Sequence, residues 1–107
     1  GVVPGDITVL IADALRKADY YATLRRLPLP KPAIWLEEGI RGSNTILIDT
    51  IQRFKGLESP VVILWGLDTI DLARSEELLY VGMSRAKSLL VVVGTAATCT
   101  NFRGASQ

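Results

Sequence analysis

The chain has 107 residues, of which 49% are hydrophobic and 21% charged, so it reads as one globular domain and not as a disordered chain. A net charge of +1 excludes the global field of an overtly nucleic-acid-binding domain, so any such binding must be local. With no histidine and a single cysteine, Cys99, the chain has no His-based metal site, no Ser-His-Asp catalysis and no internal disulfide, which suits a reducing, cytoplasmic setting.

Taken in order, "DITVLIAD" opens with Ile7, Val9, Leu10 and Ile11, a run too apolar for a half-exposed strand and typical of one covered on both faces. Asp13 can cap a following helix with Leu15, Ala18, Tyr21 and Ala22 on one face, ending before Pro28, Pro30 and Pro32. "AIWLEE" is a short strand, followed by a turn through Gly39, Gly42, Ser43 and Asn44. "TILID", "VVILWGL" and "LLVVVG" are three further β-branched runs. Between the last two, Leu72, Leu78, Leu79, Met83 and Ala86 recur at helical spacing, with Glu76 and Glu77 on the other side.

Apolar strands separated by helical patterns predict a three-layer α/β domain with a mostly parallel sheet. A single domain over 1–107 is expected, its core about 6–96, with the polar stretch 97–107 a frayed tail. The link from Gln52 to Pro60 is short for a crossover, so it holds one or two helical turns or else turns back antiparallel. No apolar run is long enough for a membrane span, and none follows a basic leader.

Neither G-x-x-x-x-G-K-[ST] nor G-x-G-x-x-G occurs, so the chain lacks its own phosphate cradle. Asp49 ends an apolar strand as a Walker-B carboxylate would, but with no phosphate loop to serve it reads as a solvated strand end, and no metal ligand is assigned. Open α/β sheets bind ligands at the carboxyl ends of their strands, where "TIQRFKGLESPVVIL" places Thr50, Gln52, Arg53, Lys55 and Glu58 around Gly56. In "LLYVGMSRAK", Leu78, Gly82 and Arg85 stand at i, i+4 and i+7, which sets a guanidinium beside an inward-packing face. Such a cation is costly unless an anion meets it, and the alternative, a cation at a helix C-terminus, could be served by Lys87.

In order, these two stretches resemble motifs V and VI of superfamily 1 helicases of the UvrD/Rep/PcrA-like group. "TIQRFKGLESPVVIL" looks like T-x-H-x-x-K-G-L-E before an apolar strand, and "LLYVGMSRAKSLLVVVG" looks like L-x-Y-V-A-x-[ST]-R-A before another. The likeness extends from about Asp6 to Gly94, and implies the second RecA-like lobe, called 2A. In that group ATP with Mg²⁺ sits between two such lobes, the first carrying the P-loop.

What the resemblance implies is specific. Arg85 is the arginine finger on the γ-phosphate, Glu58 bonds the ribose, and Gly56 permits close backbone approach, while Thr50, Gln52 and Lys55 meet single-stranded DNA. Gln52 stands where the best-known members carry histidine, and Glu76 and Glu77 stand where arginine is frequent. The implied parent is an ATP-dependent DNA helicase, and this chain alone, lacking Walker A and B, is not expected to hydrolyse ATP. Two alternatives stay open: a non-enzymatic RecA-like remnant that binds nucleic acid or protein, and a regulatory nucleotide-binding domain using Asp49.

Overall fold

The computed structural model describes residues 2–37, 41–54 and 56–105. Within it the apolar runs become five strands: β1 (Ile7–Ile11), β2 (Ile34–Leu36), β3 (Thr45–Thr50), β4 (Ser59–Trp65) and β5 (Ala86–Val92). They form one all-parallel sheet in the order β2-β3-β1-β4-β5, with Val9 of the central strand registered beside Ile48 and Ile63. Among the described residues three α-helices accompany it: α1 (Lys17–Arg25), α2 (Glu76–Met83) and α3 (Ala96–Ala105). This is the α/β fold of a RecA-like domain.

Alternation along each strand divides the apolar side chains between two faces. Leu10, Val62 and Leu64 pack with Leu79 of α2 and Phe102 of α3, whereas Val9, Ile11, Ile46 and Ile48 pack with Tyr20, Tyr21 and Leu24 of α1. The resulting layers are helix, sheet and helix.

Parallel pairing has a consequence for the link between β3 and β4. The chain leaves β3 at its carboxyl end and must return to the amino edge to begin β4, about 20 Å for strands of six or seven residues. It does so with a single α-turn, in which the Phe54 amide donates to the Thr50 carbonyl at 3.1 Å. Ile51 and Phe54, both buried, are driven into the core beneath this turn. A link this short works because two of its residues replace the packing that a longer crossover helix would supply.

Two expectations are corrected. Asp13 does cap the turn before α1, its carboxylate accepting from the Arg16 amide, but of the expected stripe only Tyr21 packs on the core, where the helix also places Leu24 and Tyr20. Leu15 is 100% exposed, and Ala18 and Ala22 are exposed as well. Tyr20 sets this rotation: its ring meets Trp65 edge-on at 4.6 Å, and its hydroxyl bonds Thr69, which donates to Asp13. The second correction concerns the expected frayed tail, of which residues as far as Ala105 form α3. Phe102, 8% exposed, anchors that helix in the core, and the Asp68 carboxylate accepts from the Thr95 amide at its start. The bonds from Thr95 and Thr98 hold the Asp68 carboxyl below its ordinary pKa.

Candidate functional site

The residues singled out in the sequence divide between opposite edges of the sheet. Thr50, Gln52 and Arg53 belong to the carboxyl edge, where β3 ends. Gly56 and Glu58 lie on the approach to β4, and Arg85 immediately precedes β5, so these three lie at the amino edge. The expectation that the whole stretch gathers at the carboxyl ends is therefore corrected, because a parallel link has to traverse the sheet. Lys55 lies outside the described residues.

At the amino edge the two motifs touch. α2 ends at Met83, so Arg85 is not on the helix but in the turn beyond it, and its half-buried side chain folds back. Nε donates to the Val81 carbonyl at 3.2 Å, satisfying one of the orphan acceptors of the last helical turn. Nη1 donates to the Leu57 carbonyl at 3.3 Å and Nη2 to Ser84 Oγ at 3.0 Å. Every one of these acceptors is uncharged, and among the described residues Arg85 takes part in no ion pair. No carboxylate among the described residues neutralises its charge.

Gly82 explains how α2 comes so near. A Cβ there would stand 2.9 Å from Ile51 Cδ1 and 3.4 Å from Leu64 Cδ1, so the motif VI helix lies directly on the motif V turn. Gly56 serves differently: its φ of +85° is left-handed, while no atom lies within 4 Å of where its Cβ would be. The open surface there is compatible with an approaching ligand, but the glycine is required by the backbone. Glu58 is exposed beside it.

A buried polar chain stiffens this edge. Thr8 Oγ1 donates to Ser59 Oγ at 3.0 Å, Ser59 Oγ donates to the Asp6 carbonyl at 2.8 Å, and the Ser59 amide donates to the Arg85 carbonyl at 2.9 Å. Arg41 closes it, with Nη1 on Thr8 Oγ1 at 2.7 Å and Nη2 on the Ile7 carbonyl at 2.6 Å. Burial lowers the Arg41 pKa, with the Asp6 charge pulling the other way, and its Nε has no partner among the described residues. Nothing in the sequence marks this residue: it is a lone arginine whose partners lie more than thirty positions away.

The carboxyl edge is arranged around the turn. Thr50 is buried, and its hydroxyl accepts from the Arg53 amide at 3.3 Å, so it caps the turn that presents exposed Gln52 and Arg53. Asp49 Oδ1 accepts from the Thr50 amide at 2.8 Å and lies 3.6 Å from Arg53 Nε. That carboxylate therefore orders the turn.

An all-parallel sheet without a P-loop of its own, with an arginine just past a helix end set against a glycine-bearing strand approach, is an α/β architecture consistent with a RecA-like lobe. Residues 45–93, which run from β3 to the end of β5, match the family model of the UvrD-like helicase C-terminal domain. The resemblance to the C-terminal lobe of UvrD/Rep/PcrA-like helicases holds over that segment, and with it a helicase motor lobe that works with nucleic acid and a companion lobe. No curated protein matches the chain. Among the described residues, no helix is long and apolar enough to cross a membrane.

Proposed function

We propose that this lobe completes the ATP site of a superfamily 1 DNA helicase, with Arg85 as the finger on the γ-phosphate of an ATP–Mg²⁺ held by a P-loop lobe. The observation that carries the reading is the Arg85 fork: fixed by Leu57 and Val81 carbonyls, it keeps an unneutralised charge at the edge where motifs V and VI meet. An arginine fixed before the substrate arrives loses little entropy when the transferring phosphoryl group develops charge. Glu58, exposed on the same edge, is assigned to the ribose, and Gly56 to the backbone approach.

The carboxyl edge takes the single-stranded DNA. Gln52 can offer its amide to a phosphate or a base, and Lys55 is assigned to the backbone of the strand. Thr50, buried as it is, acts through the turn that aims Gln52. Nucleotide and strand thus meet opposite ends of one rigid link, so a shift at the ATP edge is transmitted to the DNA edge through Ile51 and Phe54.

Calorimetric titration of this chain with ATP and Mg²⁺ tests the division of labour. Without a phosphate cradle, the expected result is no saturable binding below millimolar nucleotide. A micromolar Kd would overturn the two-lobe reading in favour of a self-sufficient nucleotide site.

A further inference from the structure

Of the α1 stripe expected in the core, Ala18 and Ala22 are exposed, and only the half-buried Tyr21 packs on the sheet. Lys17, Tyr21 and Arg25 stand at i, i+4 and i+8, on one face and spread over about 12 Å of helix axis. Between them Ala18 and Ala22 have side chains too short to close the gap to β2. Across from the helix stand Trp35 and, just beyond β2, Glu37, while Arg53 closes the end at the carboxyl edge. Together these residues line a groove of about 740 Å³.

Its chemistry is selective. Arg25 pairs with Glu37 and Arg53 with Asp49, but both arginine side chains are more than half exposed, so these pairs are screened and readily exchange a carboxylate for another anion. Lys17, exposed, takes part in no ion pair among the described residues. The Trp35 ring is fixed by its Nε1 donating to the Leu27 carbonyl at 3.2 Å. The Tyr21 phenol is uncharged at neutral pH, and burial, with the Asp49 charge, pushes its pKa further up.

We infer that this groove holds a segment of single-stranded nucleic acid, with phosphates on Lys17, Arg25 and Arg53 and bases against the Tyr21 and Trp35 rings. Cations spaced along a shallow track with interleaved aromatic rings are what a single strand requires, whereas an acidic peptide has no use for the rings. Arg53 borders both the groove and the turn bearing Gln52, so the strand continues from one to the other. The inference rests on the proposed DNA-binding role of the carboxyl edge and extends it along α1 and β2.

The chain has two tryptophans, Trp35 and Trp65, so a Trp65→Phe variant leaves Trp35 as the reporter. Titration of that variant with a deoxythymidine oligomer is expected to quench Trp35 saturably. Log affinity should fall with log salt at a slope near −2, about −0.7 for each of three phosphates. Lys17→Glu in this background should weaken binding about tenfold and flatten the slope by about 0.7, with Lys17→Arg restoring both. Binding that is weakened by Gln52→Glu yet leaves Trp35 emission and the Lys17 variants unaffected would overturn the groove while sparing the carboxyl-edge reading. Absence of any binding would overturn both. Equal quenching by a polyglutamate peptide would assign the groove to acidic peptides instead.

Discussion

Arg85→Ala, measured in this lobe joined to a P-loop lobe, is expected to lower ATP turnover about 10³- to 10⁵-fold while nucleotide affinity changes far less. The split follows from where the guanidinium is and what it touches. In the absence of ATP it meets only neutral oxygens of Val81, Leu57 and Ser84, so under the proposed reading its charge is available to the charge that develops on the phosphoryl group. Removing it takes away the donor to the half-exposed edge at Leu57, while the Val81 carbonyl keeps its bond from Ser84 Oγ at 2.8 Å, so the fold should stay intact. Arg85→Lys keeps the charge but has no planar fork to span Val81 and Leu57 together, so it should recover only a small part of the rate. Parallel measurements of kcat and nucleotide Kd decide the matter: an alanine variant with unchanged kcat removes the finger assignment, and one that loses affinity as steeply as rate makes Arg85 a binding residue.

The second large effect is on stability. Phe54, 2% exposed, is the bulkiest of the fully buried side chains and belongs to a link with no helix to hold it. Phe54→Ala should cost about 3–5 kcal/mol, from lost transfer energy plus a cavity among Leu10, Ile51 and Val62. Against a typical domain stability of about 5–15 kcal/mol this approaches unfolding. Urea denaturation provides the measurement, with Gln52→Ala, two positions away and exposed, expected within about 0.5 kcal/mol of the parent. A Phe54 variant as stable as the Gln52 one would show that the link is not packed and cannot couple the two edges.

The strands were legible because β-branched residues concentrate in runs bounded by glycine, proline and charge, and the parallel sheet followed from their apolar character on both faces. Less legible was the face that α1 buries. Its alanines favour neither side, and its rotation is set by Tyr20 meeting Trp65 and Thr69, partners more than forty positions away. α3 escaped for a similar reason: one phenylalanine in a polar segment gives no periodic signal, yet a single anchor and a bond from Thr95 to Asp68 hold it. Within the site, the residues of motifs V and VI were visible one by one, but not their division between two edges, which depends on strand direction. Arg41 and the groove beside α1 depend on contacts that only the folded chain makes.

The central claim is that this lobe supplies what a P-loop lobe lacks. Mixing or fusing the chain with a P-loop-bearing lobe and following phosphate release, with and without single-stranded DNA, tests it most directly. The account predicts hydrolysis that neither part shows alone and that the strand stimulates. A P-loop lobe that turns over ATP at the same rate whether or not this chain is present would contradict it.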